Sequence, residues 1–245
     1  MAHNWLKLNN SKTEFIIFCH PKDSLSIPNI SLTLGNCSVK RAKSVGSLGA
    51  HPDAFMNMEK QVSAVCKSAW FYIYQIGKIR SYITEDQAST VIHAHVTSRL
   101  DCNNSLLMGL QKKQIRRIQL VQNAGARLIK GLRKRDHITP ALYGLHWLPI
   151  EERMTFKTLM LEYKALHNQG PEYLRELLTL YSQSRDLRSA SDCRLIVPKG
   201  HYKDTKKRAF NICGPTLWNN LPKSIRYHET LGGNTKVLSR PIYSE

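Results

Sequence analysis

Acidic residues are scarce in this chain: 18 Asp and Glu face 36 Lys and Arg over 245 residues, a formal net charge of +18. Metal-binding spacing is missing as well. The six cysteines (Cys19, Cys37, Cys66, Cys102, Cys193 and Cys213) are scattered without a C-x-x-C pair. That argues against a zinc module and against a secreted disulfide scaffold, and points to an intracellular location, nucleus or cytoplasm. No window approaches the roughly 18 apolar residues of a membrane span. Lys7, Asn9, Asn10, Lys12 and Glu14 interrupt any signal-peptide core. G-x-S-x-G is absent, and so is a Gly-rich loop ending in Gly-Lys-Ser/Thr. His93-Ala94-His95 puts its imidazoles about 200° apart on a helix, so they cannot share a metal there, and core or partly buried histidines are expected. No Asp-Asp pair occurs, and the neighbouring Glu151 and Glu152 diverge on a helix. A two-metal polymerase or nuclease needs closely placed carboxylates. The chain is therefore expected to hold no metal or other cofactor and to be catalytically inactive by itself.

What is present reads as α+β, a small β-rich start followed by a mostly helical body. Phe15 to Phe18 is a short buried-strand candidate. Ile30, Leu32 and Leu34 alternate with polar residues, Gly35-Asn36 supplies a two-residue turn, and Cys37 and Val39 resume the alternation, a hairpin pattern. From about residue 57, Met58, Val62, Val65, Ala69, Tyr72, Ile76 and Ile79 recur at helical steps. Thr84 to Gln87 fits a capping box opening a helix with Ala88, Val91, Ile92, His95, Val96 and Leu100 inward. A further helix is expected from about Gln111 to Leu132. A short one begins at Thr139-Pro140, and another at Pro149-Ile150-Glu151-Glu152, stopping at Gly170-Pro171. After residue 182 the helical pattern weakens. The expected organisation is 1–56, 57–182 and an irregular basic segment 183–245.

The strongest local feature lies between residues 111 and 135. Lys112, Lys113, Arg116, Arg117, Arg127, Lys130, Arg133, Lys134 and Arg135 occur there, and no acid stands between Asp101 and Asp136. Ile115, Ile118, Val121, Gly125, Leu128, Ile129 and Leu132 gather on one side of that helix. Lys112, Lys113, Arg116, Arg127 and Lys130 lie roughly opposite, with Arg117 at the margin and Leu120 the apolar exception. A solvated helix face ordinarily mixes signs, so an unmixed one points to phosphate-backbone binding. A membrane-surface helix fits less well, because the stripe carries no Trp or Phe. Gly125 marks either close approach of another helix or a tolerated defect. A second basic cluster, Lys199, Lys203, Lys206, Lys207 and Arg208 with His201 and Tyr202, reads as a solvated loop ahead of a stacking site.

Several segments in order resemble the non-LTR (LINE-type) retrotransposon reverse transcriptases. Asn4-Trp5-Leu6-Lys7-Leu8-Asn9 with Ser11-Lys12-Thr13-Glu14 is similar to that family's N-x-L-x-L-N-x-x-K-T-E. Leu48-Gly49 through Asp53 to Met58 is similar to the next segment, usually L-G-x-x-[FL]-D. Leu100-Asp101, Asn104 to Leu107, Leu120-Val121-Gln122-Asn123-Ala124, His137 to Leu142 and Leu145-His146-Trp147-Leu148-Pro149 follow. Arg208-Ala209-Phe210, Gly214-Pro215 and Leu217-Trp218-Asn219-Asn220-Leu221-Pro222 complete the set, to about residue 230.

The resemblance implies the end of a polymerase palm, a helical thumb that grips primer–template duplex, and a C-terminal segment. Its partners would be RNA and DNA together with upstream polymerase domains, with no membrane. Mg²⁺ is implied for the intact polymerase only, because the Tyr/Phe-x-Asp-Asp motif, the fingers and the endonuclease are missing. By resemblance Lys12 matches a lysine near the incoming nucleotide; without the palm it reads as a solvated strand-edge lysine. Pro52 replaces an aromatic or aliphatic residue, which puts that strand's ladder in question. Gln111 replaces a frequent Pro. The similarity ends at Leu231, as in a truncated or frame-shifted copy. A translated relic without function, or a host-adopted basic nucleic-acid-binding adaptor, are the competing readings.

Overall fold

The computed structural model describes residues 9, 12–24, 26–28, 30–34, 37–181, 193–198 and 208–226. They are α+β: helices and one two-stranded antiparallel sheet. The chain divides into two compact units, Met1–Ala64 and Val65–Glu245.

In the first unit the hairpin forms in the register its alternation predicts. Strand β1 (Ser31–Leu34) pairs with β2 (Cys37–Lys40), Leu32 opposite Val39 and Leu34 opposite Cys37. The turn at 35–36 lies outside the described residues. Phe15 to Phe18 does not become a buried strand. Phe15 makes a single bridge to Arg41, and Phe18 is exposed. Pro52 does not break its ladder. The bonds flanking the Ser44–Asp53 bridge use the Pro52 carbonyl, accepting from the Val45 N–H at 3.1 Å, and the Ala54 N–H, so the N–H that proline lacks is not called upon. Asp53 ties the next turn. Its carboxylate accepts from the N–H groups of Phe55 and Asn57, each at 3.0 Å, and of Met58 at 2.7 Å. Met56 and Met58 sit at positive φ there, a conformation that this carboxylate offsets.

Met58 is buried just before helix α1 (Glu59–Ile79), which itself buries Val62, Cys66, Ala69, Ile73 and Ile76. The buried line therefore runs through Cys66 and Ile73 rather than through Val65, Tyr72 and Ile79, and Ile79 is exposed. The Thr84 capping box is present: the Thr84 hydroxyl accepts from the Gln87 N–H, and Gln87 returns its side chain to the Thr84 N–H. Helix α2 (Glu85–Ile92) then widens into a π turn at His93–Thr97 before α3 (Ser98–Asp101). The extra residue in that turn rotates the chain. Val96 and Thr97 are buried, while His93 and His95, expected in or near the core, are exposed.

Helix α4 (Lys112–Lys130) stops one residue after Lys130, at Gly131 in the left-handed conformation with φ 65°. Helix α5 (Thr139–Gly144) starts with Pro140 in its first turn, and α6 (Ile150–Leu166) has Glu151 and Glu152 in its own. α6 ends well before Gly170. Asn168 takes positive φ, and Pro171 precedes the short α7 (Glu172–Arg175). Gly125 marks a close approach: a Cβ there would stand 3.3 Å from the Ile92 methyl of α2.

Beyond residue 182 the expected irregular segment contains α8 (Phe210–Asn219) and α9 (Lys223–Arg226). Leu195 joins Leu159, Tyr163 and Trp218 in a core cluster. The Asn219 carboxamide clasps the backbone of Leu195 in both directions, at 2.9 and 2.8 Å, and the Trp218 indole donates to the Cys193 carbonyl at 2.8 Å. An edge of extended chain is thus held by side chains of a helix.

Glu162 of α6 is 0% exposed, and neither carboxyl oxygen has a hydrogen-bond partner among the described residues. Gly214 of α8 leaves the room: a Cβ there would meet the carboxyl oxygens at 3.1 to 3.2 Å. Burial pushes the Glu162 carboxyl up from 4.5 to about 8, and burial followed by this neighbour raises the Cys213 thiol. Because the folded value lies above the unfolded one, the folded state favours protonated Glu162. That contribution is whole below about pH 4.5 and lost as pH rises through about 8. The denaturation midpoint should therefore fall between pH 5 and 9, by an amount on the order of 4 kcal/mol at most. Glu162→Gln should flatten much of that fall. Equal pH dependence of both proteins would show that Glu162 ionises freely.

Candidate nucleic-acid interface

The basic helix is positioned from its opposite face. Ile118, Val121, Gln122, Gly125, Ala126 and Ile129 of α4 are buried, so the inward side turns toward Gln122 and Ala126, while Ile115, Leu128 and Leu132 are half-buried. Gln122 is 1% exposed. Its amide donates to the Leu148 carbonyl at 2.8 Å, and its carbonyl accepts from Gln119 at 2.8 Å. Gln119 also donates to Asn123 and accepts from the Ile150 N–H, each at 2.8 Å. A carboxamide chain on α4 thereby captures the loop that starts α6, satisfying an N–H that a helix's first turn cannot. Trp147 in that loop is buried, its ring edge 4.0 Å from where a Gly125 Cβ would stand.

The far end of α4 is held by Arg80. Its guanidinium donates to the carbonyls of Leu128 and Ile129 at 2.8 Å and of Ile83 at 2.9 Å. The first two are among the last carbonyls of α4, which have no intrahelical partner and carry the negative end of its dipole.

The nine expected cations do not act as one set. Lys112, Lys113 and Arg116 are exposed at the start of α4, and Arg133, Lys134 and Arg135 are exposed after its end. Among the described residues no acid pairs with these six side chains. The other three are withdrawn. Arg127 is half-buried and donates to the Asp136 carbonyl at 3.2 Å. Lys130 pairs with Glu85 of α2 at 2.5 Å. Arg117 donates to Gln114 at 2.9 Å and lies near enough to Cys66 to oppose the rise that burial gives that thiol. The reason is tertiary: a helix without acids in its own sequence receives one from α2, and the Asp136 turn folds back on it. Glu85 was visible only as a capping-box residue, and Arg80 only as one basic residue among 36 Lys and Arg. Leu120 is half exposed on the basic side.

The remaining candidates are placed as follows. Lys12 is exposed in the first unit. Arg208 is half-buried and donates to the Met108 carbonyl at 3.2 Å, beside Gly109 at positive φ. Lys199, Lys203, Lys206 and Lys207, with His201 and Tyr202, lie outside the described residues. The Asp101 carboxylate is held by the Arg153 guanidinium through both oxygens. It opens on a cleft of about 270 Å³ with Asn104, His146 and Lys157. Among the described residues no group of three His, Cys, Asp or Glu is placed to hold a metal ion, and no helix is long and apolar enough to cross a membrane.

Comparison with protein-family models, with curated proteins and with solved structures finds no match.

Arg80→Met should cost about 2 kcal/mol, since it leaves helix-end carbonyls without their charged donor. Lys130→Met should cost under about 1 kcal/mol, because that pair is open to solvent. Thermal denaturation of the two variants ranks them. A Lys130 effect equal to that of Arg80 would move the anchor of α4 to the ion pair.

Proposed function

We propose that this chain is the C-terminal part of a non-LTR retrotransposon reverse transcriptase, the end of its palm, its thumb and the following segment. In this reading it binds primer–template nucleic acid and does not polymerise by itself. The observation that carries the binding is the set of six cations at the two ends of α4, exposed and unpaired by any described acid. Lys112, Lys113 and Arg116 stand at the positive end of the helix dipole, where cations oppose helix stability. An external polyanion relieves that repulsion. At a rise of 1.5 Å per residue α4 is about 27 Å long, near eight base pairs of duplex at 3.4 Å each, and one cluster stands at each of its ends. Contacts of that kind go to phosphates and carry no sequence information.

The ancestry rests on the order of the quoted segments, and their residues have definite work in the fold. Gln122 and Trp147 join α4 to the start of α6. Asp101 holds Arg153, Gly214 fits Glu162, and Trp218-Asn219 clasp residues 193–195. The bond from Gln122 to Leu148 joins two of the quoted segments, and in the other ties one quoted residue holds a partner outside them. Structural work at so many of the quoted positions supports a shared thumb-like scaffold.

Lys112→Gln, Lys113→Gln and Arg116→Gln together should weaken duplex binding for all sequences. The log–log salt slope should become shallower by about three, at 0.9 per phosphate released. Arg127→Gln with Lys130→Gln should change it far less, because those cations are already engaged. Fluorescence anisotropy over a salt series, with circular dichroism to check folding, measures both. Wild-type slope in the first variant would remove the interface. Protein-dependent primer extension with Mg²⁺ or Mn²⁺, surviving removal of contaminating polymerases, would overturn the non-catalytic reading.

A further inference from the structure

The outer face of α1 carries a pattern that neither its core role nor the basic helix uses. At 100° per residue, Lys67, Trp70, Phe71, Tyr74 and Lys78 fall within about 100° of one another, opposite Cys66, Ala69, Ile73 and Ile76. All five are exposed, with Trp70 at 45%, Phe71 at 55% and Tyr74 at 64%. Three large aromatic side chains left at solvent forgo substantial burial energy.

Two of the rings, Phe71 and Tyr74, have neighbours that hold them. Tyr72, half-buried on the adjoining side of α1, is stacked by His95 with ring centroids 4.9 Å apart and 12° between planes, and the Arg99 guanidinium lies 4.3 Å from its centre. Arg99 is fixed in turn by the Ser68 hydroxyl at 2.8 Å and the His95 carbonyl at 3.1 Å. Phe71 stands edge-on to Tyr72, centroids 5.3 Å apart, and the Lys78 ammonium sits 4.6 Å from the Tyr74 ring centre. The π turn makes this possible, because it turns His95 outward onto Tyr72.

We propose that this face of α1 is a stacking platform for single-stranded nucleic acid: bases lie on Trp70, Phe71 and Tyr74, and Lys67 and Lys78 meet the flanking phosphates. Glu59 is the sole acid of α1, more than two turns from Trp70. The stripe spans about 16 Å along the helix, enough for more than one base. Aromatic faces between cations suit a ligand that alternates π faces with negative charge, and every base offers such a face, so the site is sequence-tolerant. Duplex DNA hides its base faces, so this surface discriminates against it. The platform rests on the nucleic-acid reading above but uses a different element from the duplex contacts of α4.

The probes are an oligo-dT of about twelve nucleotides, an abasic strand with the same number of phosphates, and a duplex. Wild-type protein should bind oligo-dT about tenfold or more tightly than the abasic strand, with quenching of Trp70 emission. Trp70→Ala, Phe71→Ala and Tyr74→Ala together should erase that difference and leave duplex affinity and circular dichroism unchanged, since all three side chains are exposed. Lys67→Gln with Lys78→Gln should weaken oligo-dT and abasic binding alike. Duplex binding without any preference for oligo-dT over the abasic strand overturns the platform alone. Failure to bind every probe overturns it together with the nucleic-acid reading. Loss of self-association in the aromatic variant, with base preference kept, assigns the face to a second copy of this chain and overturns it also.

Discussion

A helix that presents cations to solvent has only its other face for attachment, and on α4 that face includes a buried glutamine. Gln122 sits at 1% exposure with both ends of its carboxamide engaged. The bond to the Leu148 carbonyl fixes where the chain turns into α6, and Gln119 fixes the first N–H of that helix. Apolar packing alone is non-directional and would let α4 rotate or slide by part of a turn. Paired carboxamides do not permit that, because a buried amide that loses its partner costs about 1 to 3 kcal/mol. The direction in which Lys112 and Arg116 point is thus set by Gln122 on the buried face of the helix and Gln119 at its margin.

The same division of labour recurs along the second unit. Arg80 finishes the end of α4, Asp101 and Arg153 lock α3 to α6, and Asn219 and Trp218 secure the extended segment that also bridges Leu180 through Leu195. Each tie is a polar or charged side chain meeting backbone or a fixed opposite charge. Glu162 is the departure, a carboxyl buried between α6 and α8 without a hydrogen-bond partner among the described residues, where burial favours its protonated form. The cost of charging it there is why this contact is expected to weaken toward alkaline pH.

Periodicity and turn chemistry made the elements legible. The β1–β2 register, the Thr84 capping box and the Pro140 helix start follow from local rules, and all three hold. Nonlocal partners were not legible. Nothing near Lys130 in sequence announces Glu85, and nothing near Leu128 announces Arg80, so nine cations read as one binding set when three are engaged. The π turn is another such case: with one additional residue in the helix His95 is exposed, although Val96 and Leu100, counted inward with it, are buried. Phe15 to Phe18 failed differently. A strand needs a neighbour along its length, and among the described residues only Arg41 pairs with it.

Two surfaces of opposite character then follow from one packing arrangement. The α4 ends offer charge without aromatic rings, and the outer face of α1 offers rings with charge at either end. Duplex nucleic acid presents a dense phosphate lattice with its bases hidden, whereas a single strand exposes both. A surface built for the first gains little from Trp70 or Phe71, and one built for the second gains little from a third or fourth cation. On the proposed reading, separate placement on α1 and α4 lets each be optimised without weakening the other. Tyr72 and Gln122, half-buried and buried on those two helices, lie behind such outward-facing residues: Tyr72 meets Phe71 edge-on, and Gln122 fixes α4 against the start of α6.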